Sequence, residues 1–209
     1  AGVKYIIFSS SAGVYGQPKN MPIKEDDPKD PINTYGRTKL MIEYALKSYD
    51  EAFGIKFIAL RFFNAAGASL DGKMGENHNP ETHIIPNAIK SAINKSGFIL
   101  YGDDYKTEDG TCIRDYIHVL DLVEAHMLAL EKLQKNKGGF FYNAGTGKGY
   151  SNRDVVDMVK KVSGVDFKVK TSQRRSGDAE SLVADPTAIN TELGFKPKYS
   201  DIETIERTK

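Results

Sequence analysis

The sequence is poor in the residues that build disulfide frameworks and metal centres. It contains one cysteine, Cys112, and four histidines among 209 residues. A single cysteine cannot form an internal disulfide, and this composition is typical of a protein from a reducing compartment. Scattered histidines with one thiol also argue against a structural zinc site. We therefore expect a cytoplasmic protein with no bound metal ion.

The sequence also lacks an excess of charge and a long apolar run. Its 29 basic and 28 acidic residues leave a net charge of +1, which provides no general attraction for nucleic acid or acidic membranes. No apolar run reaches the roughly 18 residues that a membrane span needs, and no segment has the pattern of a secretory signal. A content of 40% hydrophobic and 27% charged residues is typical of a soluble globular protein.

A dinucleotide-binding fingerprint is a third absence. The glycine-rich turn at residues 145–149 follows a predicted strand, but it reads G-x-G-x-G and contains Lys148. Close approach of the backbone to a pyrophosphate requires G-x-G-x-x-G, with an acidic residue about 20 positions later. We therefore expect no cofactor phosphate at this turn.

Apolar runs alternate along the chain with segments of helical periodicity. The first run, residues 3–8, is apolar on both faces, which favours a buried strand of a parallel sheet. A helix is predicted between an N-cap at Asn33 or Thr34 and a stop at Gly54, with Met41 and Tyr44 as packing residues. Further strands are predicted at residues 57–63, 98–101, 140–143 and 167–169. Further helices are predicted at residues 84–95, 121–134 and 186–193, and two more begin after the cap at Ser151 and at residue 202. The strand–helix–strand order indicates a parallel α/β sheet.

Tyr35 and Lys39 form the most suggestive local pattern. They are four residues apart at the start of the first predicted helix, so their side chains lie on one face. A positive charge stabilises a nearby phenolate and so makes a tyrosine more useful as an acid or base. The alternative is an ordinary surface pair on an amphipathic helix.

The motifs around this pair are more specific as a set. Ser9-Ser10-Ser11-Ala12 ends the preceding strand, and Arg61-Phe62-Phe63-Asn64 ends the next one. This order resembles the extended short-chain dehydrogenase/reductase family. Later motifs resemble its UDP-glucose (UDP-galactose) 4-epimerase branch: Tyr101-Gly102-Asp103-Asp104-Tyr105, residues 107–111, residues 114–119 and Arg174-Arg175-Ser176-Gly177-Asp178.

The resemblance implies an α/β fold with a partial Rossmann-type parallel sheet and a smaller α/β substrate-binding domain. Residues 1–64 and 112–145 would be the remnant of an NAD-binding domain, and residues 65–111 and 146–209 would bind the nucleotide sugar. The glycine fingerprint of the family is missing from the sequence. We expect the chain to be the C-terminal two-thirds of such a protein, and to be inactive alone. The full-length parent would be a homodimer.

The resemblance also implies roles for individual residues. Tyr35 would exchange a proton with the sugar 4-hydroxyl, Ser11 would hydrogen-bond the same hydroxyl, and Lys39 would stabilise the tyrosine phenolate and contact the nicotinamide ribose. Together with Phe63 these residues would contact NAD. The sugar would pass through a 4-keto intermediate, turn over in the pocket and be reduced on its other face.

The remaining implied residues would bind the UDP-sugar. Arg114 and Arg175 would hold the diphosphate, since arginine forks match phosphate oxygens, and Asp178 would meet a ribose hydroxyl. Asn64, His83, Ile99, Leu100 and Tyr101 would line the pocket. Leu182 would leave room for an N-acetyl group, so that UDP-GlcNAc and UDP-GalNAc become possible substrates. His118 and Cys112 are interpreted as structural.

Two other functions remain open at this point. One is a different NAD-dependent nucleotide-sugar epimerase or dehydratase. Dehydratases of this family carry an Asp-Glu pair beside the catalytic hydroxyl residue, whereas this chain has Ser11-Ala12-Gly13. The other is a non-catalytic fragment that binds a nucleotide sugar. The residues that precede Ala1 in the gene would distinguish an enzyme from such a module.

Overall fold

A computed structural model describes residues 2–135 and 138–208 of the chain. Its first sheet is parallel and has the strand order β1 (Tyr5–Ser11), β2 (Lys56–Phe62) and β6 (Gly139–Ala144). The predicted parallel sheet is therefore confirmed. The first strand begins two residues later than predicted and includes all three serines, because these continue the ladder opposite Leu60, Arg61 and Phe62.

Helices cover both faces of this sheet. Ile58 and Leu60 of β2 point into a cluster with Ala125, Ala129 and Leu133 of α3 (Val119–Lys135). The alternate residues Phe57 and Ala59 face the other way, toward Leu46 of α1 (Thr34–Phe53). Alternation of side chains along a strand puts successive residues on opposite faces. Both faces of β2 are therefore apolar because a helix covers each of them.

Helix α1 has the predicted ends but a different buried face. The Asn33 side chain accepts a hydrogen bond from Gly36 N at 2.8 Å, and Gly54 ends the helix in the left-handed conformation. The prediction that Met41 and Tyr44 pack inside is wrong for the described structure, since they are 68% and 60% exposed. The buried stripe instead consists of Gly36, Leu40, Glu43 and Leu46.

The rest of the described chain forms two smaller sheets. One contains β3 (Asn64–Ala66), β5 (Ile113–His118), β7 (Gly149–Ser151) and β9 (Ser181–Leu182), and the other pairs β4 (Phe98–Tyr101) with β8 (Val169–Ser172). Strands of two or three residues are too short to give a periodicity, which is why β3, β7 and β9 were not predicted. The domain boundaries stay a prediction.

The remaining helices are α2 (Ile84–Ile93), α4 (Asn152–Ser163), α5 (Thr187–Leu193) and α6 (Ile202–Arg207). Helices α2 and α4 pack on β4 through an apolar cluster that includes Ala88, Phe98 and Val159. The Ser151 cap is confirmed and forms a capping box with Asp154. Ile93, the last residue of α2, is 75% exposed. None of the helices described has both the length and the apolar character required to cross a membrane.

Candidate active site

A buried polar network anchors helix α1 to the sheet. Arg61 of β2 donates to Glu43 of α1 through Nε at 2.9 Å and through Nη2 at 2.7 Å, and the two side chains are 3% and 2% exposed. Ser10 donates to the same carboxylate at 2.5 Å, and Arg61 Nη1 donates to the Tyr15 hydroxyl at 2.8 Å. Every charge in this pair is thus matched inside the protein, as burial requires.

The network also fixes the ionisation of its members. Burial lowers the pKa of Arg61, but the hydrogen bonds that it donates to Glu43 and Tyr15, together with their charge interactions, outweigh this effect and raise the pKa above its usual value. Burial raises the pKa of Tyr15 to about 12, which keeps its hydroxyl protonated and able to donate to Asn143 at 2.7 Å. The guanidinium therefore stays charged and the phenol stays neutral.

The network positions the Tyr35–Lys39 pair. Lys39 precedes Glu43 by one helical turn, and its Nζ donates to the backbone oxygen of Ser9 at 2.8 Å while lying 5.5 Å from the centre of the Tyr35 ring. Tyr35 itself is 53% exposed. The two side chains thus share a helix face as predicted, with the ammonium held and the phenol open to a ligand.

Gly36 lets the start of α1 approach the end of β1. A Cβ atom on Gly36 would lie 2.3 Å from the backbone oxygen of Gly13, a distance that neither chain could accommodate without moving. Gly13 N in turn donates to the Ser11 hydroxyl at 3.1 Å, and a Cβ on Gly13 would lie 3.7 Å from the Tyr35 ring. Gly13 and Gly36, which lie against each other in space, therefore let Ser11 and Tyr35 face the same cavity.

A cavity of about 700 Å³ opens in front of these residues. Five predicted site residues line it: Ser11, Tyr35, Phe63, Asn64 and His83. Its wall is largely apolar, with a phenol and a hydroxyl on one side. Such a wall with few polar groups is typical of a small-molecule site, and it provides a place for proton transfer to a bound hydroxyl.

A second cavity of about 410 Å³ lies beside α2 and β4. Four predicted residues line it: Ile99, Leu100, Tyr101 and Arg175. Ile99 and Tyr101 are 51% and 40% exposed on one face of β4, whereas Leu100 points into the core. These four residues thus share one cavity, whereas Asn64 and His83, which were expected in the same pocket, line the first cavity instead.

The two adjacent arginines near this cavity have different surroundings. Arg174 stacks on the Tyr105 ring with its guanidinium carbon 4.0 Å from the centroid, and it is held by the side chain and the backbone oxygen of Asp104. Arg175 donates to Asp178 at 3.0 Å and is 49% exposed. Arg175 also donates to the backbone oxygen of Thr82 at 3.4 Å, so two nitrogens of each arginine are engaged, but the hydrogen bonds of Arg175 are the longer ones and only Arg175 lines the cavity.

Four other predicted residues lie outside both linings in the described part of the chain. Lys39 is held at Ser9, and Asp178 contacts Arg175. Arg114 donates to the backbone oxygen of Ile113 at 2.8 Å. Leu182 packs against the cluster that contains Ala12, Leu40 and Phe63. Leu182 and Arg114 are opposite each other where β9 pairs with β5.

The glycine turn after β6 has a structural partner. Asp115 is buried, and its carboxylate accepts hydrogen bonds from the backbone N–H groups of Thr146, Gly147 and Ala184. Burial raises the pKa of Asp115, although these hydrogen bonds act in the opposite direction. A Cβ on Gly145 would lie 2.6 Å from the same carboxylate. The backbone N–H groups of Thr146 and Gly147 in this turn are therefore engaged by Asp115.

His118 and Cys112 occupy the structural positions that were predicted. His118 is buried, and its Nδ1 accepts from Leu120 N at 3.1 Å while its Nε2 lies 2.9 Å from the Thr208 hydroxyl. Burial lowers the pKa of His118 and favours the neutral ring. Cys112 is 1% exposed.

Sequence reasoning missed Glu43 and Arg61, the pair that ties α1 to β2. A signal was present, because positions 35, 39 and 43 form one stripe of a helix at i, i+4 and i+8. If Tyr35 and Lys39 face a site at the sheet edge, Glu43 must face the sheet and needs a buried cation.

Comparison with known proteins gives the family. The sequence pattern of the NAD dependent epimerase/dehydratase family matches residues 1–145. The chain belongs to this family. A curated relative, the UDP-glucose 4-epimerase of Lactobacillus helveticus, is 52% identical over 209 residues, which are 100% of this chain and 63% of the relative. The chain thus spans about 63% of the length of such family members.

Solved structures of family members confirm the α/β, Rossmann-type fold. UDP-glucose 4-epimerase from Brucella ovis, in complex with NAD, matches with a TM-score of 0.92 and 48% identity, covering 98% of this chain and 63% of that one. The UDP-Glc/GlcNAc 4-epimerase of Campylobacter jejuni matches with a TM-score of 0.80 and 43% identity, covering 99% and 63%.

The residues present fit one end of the cofactor that this family uses. A hydroxyl, a phenol and an ammonium converge beside the apolar cavity, and this donor set suits a nicotinamide ribose. The pyrophosphate has no matching turn in the sequence, because the glycine turn of residues 145–149 serves Asp115. The residues that would hold the nicotinamide end of NAD are thus Ser11, Tyr35 and Lys39.

Proposed function

We propose that the chain is the catalytic and nucleotide-sugar-binding part of an NAD-dependent UDP-glucose 4-epimerase, which interconverts UDP-galactose and UDP-glucose. The observation that carries this proposal is the cavity shared by Ser11, Tyr35 and Phe63, with Lys39 on the same helix face. The 52% identity to the Lactobacillus helveticus protein of that name gives it independent support.

In this proposal Tyr35 is the acid–base group. It removes the proton from the sugar 4-hydroxyl as C4 is oxidised, and it returns a proton as the 4-keto sugar is reduced. Ser11 hydrogen-bonds the same hydroxyl and aligns it. Lys39 stabilises the phenolate form of Tyr35 by its charge and contacts the nicotinamide ribose. NAD, when bound, would supply the hydride acceptor for C4 and the hydride donor to the opposite face of the keto sugar.

The uridine diphosphate is proposed to occupy the second cavity. The exposed Arg175 binds the diphosphate, with Arg114 as a second donor, because a guanidinium fork matches phosphate oxygens. Ile99, Leu100 and Tyr101 form the wall, and Asp178 binds a ribose hydroxyl. Asn64 and His83 line the sugar end of the site.

Leu182 is proposed to leave room for an N-acetyl group beside the sugar. The Campylobacter jejuni relative is named for both UDP-Glc and UDP-GlcNAc. Measuring turnover of the two nucleotide sugars side by side tests this point, and an absence of UDP-GlcNAc turnover in an active enzyme would reject it.

We further propose a cytoplasmic homodimer for the full-length protein. The exposed side chains of Met41, Tyr44 and Tyr49 on α1 give this helix an apolar outer face. Apolar helix faces of this kind are typical of protein interfaces. Sedimentation of the full-length protein tests the dimer.

The proposal is tested with a chimera. The 209 residues are joined to the part of the Lactobacillus helveticus relative that lies outside the match. With NAD, the chimera is expected to convert UDP-galactose to UDP-glucose, and the isolated chain is expected not to do so. Tyr35→Phe in the chimera should lower kcat by about 10²- to 10⁴-fold, the usual contribution of general acid–base catalysis.

The matched control is Tyr44→Phe, which removes the hydroxyl of an exposed tyrosine on the same helix. It should leave kcat unchanged. A folded chimera that binds NAD and UDP but turns over no UDP-galactose would favour the non-catalytic alternative. Loss of water from the sugar would favour a dehydratase, which the sequence Ser11-Ala12-Gly13 already disfavours.

A further inference from the structure

Two glutamates and two histidines converge in the loop that leads into α2. The ligand atoms of Glu76, His78, Glu81 and His83 all lie within 4.8 Å of one another. Both imidazoles turn Nδ1 toward Glu76 Oε1, at 2.7 Å from His78 and 2.5 Å from His83, and His83 Nδ1 is also 3.1 Å from Glu81 Oε1. Four side chains from eight consecutive residues thus point at one location.

The carboxylates of this cluster are held in place. Glu81 Oε1 accepts from the backbone N–H groups of Thr82 at 2.8 Å and His83 at 2.9 Å, and its side chain is 5% exposed. The Glu76 side chain is 18% exposed, whereas the two histidine side chains are more than half exposed. The carboxylates are largely buried, whereas the exposed imidazoles can move, so the imidazoles can adjust their positions around a bound ion.

We propose that Glu76, His78, Glu81 and His83 bind a divalent transition-metal ion, for which zinc is the best match. Two carboxylates balance the charge of the ion, and two imidazoles select it over magnesium and calcium, which prefer oxygen ligands. Tetrahedral zinc with bonds of about 2.0–2.2 Å places neighbouring donor atoms roughly 3.3 Å apart. Glu76 Oε1 and the two imidazole nitrogens reach this spacing if the exposed imidazoles withdraw by less than about 1 Å, and donor atoms as far as 4.8 Å apart reach it by approaching by about 1.5 Å.

The sequence predicted no metal site because its histidines look scattered. His78 and His83 are five positions apart, and the loop folds back to bring them together, with ring centroids 5.2 Å apart. Glu76, His78 and His83 also line the cavity that contains Tyr35. The ion would therefore hold this loop against His83, the N-cap residue of α2, at the cavity wall. Because the proposed function also places His83 at the sugar end of the site, the inference is tested by metal binding alone, without substrate.

The test is direct titration of the metal-free 209-residue chain with Zn²⁺ in the absence of nucleotide. We expect one Zn²⁺ per chain, and we expect Co²⁺ at the same site to give the intense visible absorption of a four-coordinate ion with nitrogen and oxygen ligands. Excess Mg²⁺ or Ca²⁺ should not displace the Zn²⁺. Displacement by Ca²⁺ at equal concentration would mean an oxygen-only surface site and would overturn the proposal.

Variants locate the bound ion. Loss of a residue that only supports a metal ligand weakens binding about 10- to 100-fold, so His78→Gln with His83→Gln should weaken Zn²⁺ binding by at least about tenfold. Glu76→Gln, which keeps both imidazoles, should also weaken it. The matched control His126→Gln removes a histidine outside the cluster and should bind Zn²⁺ as tightly as the unmodified chain. Circular dichroism confirms that each variant is folded. Equal Zn²⁺ affinity in the cluster variants and the unmodified chain would refute the site.

Discussion

The charges beneath the Tyr35 helix and the charges beside the second cavity are held in opposite ways. Glu43 and Arg61 are 2% and 3% exposed and meet through two hydrogen bonds. Arg175 and Asp178 form a single ion pair at 3.0 Å with exposures of 49% and 24%. Both regions carry residues assigned to the proposed reaction, but only the first is locked by the fold.

The difference follows from what each region would do. A proton-transfer group must keep its position to within a fraction of an ångström, and the buried pair provides that by tying α1 to β2. A diphosphate brings its own charge, so the arginine that binds it must remain accessible and only loosely paired. The proposed reaction therefore needs a rigid position for α1, which carries Tyr35 and Lys39. It needs an accessible guanidinium at Arg175, beside the second cavity.

Breaking the buried pair should have the largest effect. Glu43→Ala leaves the Arg61 guanidinium buried without its partner, and loss of one member of such a pair typically costs about 3–5 kcal/mol. We expect the free energy of unfolding, measured with urea, to fall by that amount. Glu51→Ala, at an exposed position of the same helix, is the control and should change it by less than about 0.5 kcal/mol. Equal effects of the two changes would mean that the pair is not what anchors α1.

Glu206 contrasts with the paired Glu43, because it is a buried carboxylate with no hydrogen-bond partner among the described residues. Glu206 is 5% exposed, neither of its oxygens is bonded, and burial raises its pKa to about 8. Between about pH 5 and pH 8 the folded chain thus binds a proton that the unfolded chain has lost. Stability should fall as pH rises through this range, by up to about 1.4 kcal/mol per pH unit.

Glu206→Gln tests this pH dependence. The amide cannot ionise, so the variant should lose less stability than the unmodified chain as pH rises from about 5 to about 8. Glu131→Gln, at an exposed position, should keep the original slope. Parallel pH profiles for the Glu206 variant and the unmodified chain would show that this carboxylate is already charged near neutral pH.

Most of the first sheet could be predicted because burial on both faces leaves a clear signal. The apolar run 57–63 and the helix with its Asn33 cap and Gly54 stop needed local information only. The buried face of α1 could not be predicted in the same way. Met41 and Tyr44 are apolar yet exposed, whereas the charged Glu43 is buried. Glu43 can be buried because Arg61, its partner, lies on strand β2, which is distant in sequence.

The candidate site was predicted in part for a related reason. Motif order placed Ser11, Tyr35 and Phe63 together, and the structure puts all three on one cavity. The His78–His83 cluster was missed because it depends on how a loop folds back, and loop paths have no periodicity to read. Side-chain partners from distant segments are the part that a single sequence does not reveal.

The accessible arginine is the next point to test. A hydrogen bond to a charged group typically contributes about 1.5–3 kcal/mol, so Arg175→Ala should weaken UDP binding by about 10- to 100-fold. Arg174→Ala is the matched control, because Arg174 is engaged by Tyr105 and Asp104. It should weaken binding by no more than about fivefold. Calorimetric titration with UDP measures both, and a larger loss for Arg174 would reverse the assignment of the two arginines.

The smallest effect on stability is expected at the close contact between Gly36, at the start of α1, and the backbone oxygen of Gly13. Gly36→Ala places a methyl group 2.3 Å from Gly13 O, so the start of α1 must move away from β1. Overpacking of this kind costs about 1–3 kcal/mol, which is less than the loss of Glu43. Gly97→Ala is the control, because its methyl group would come no closer than 3.7 Å to Lys168 O. In the active chimera, Gly36→Ala should lower kcat more than its stability loss suggests, since it shifts Tyr35 while leaving the buried pair intact. An unchanged kcat would show that the position of Tyr35 depends on the pair alone.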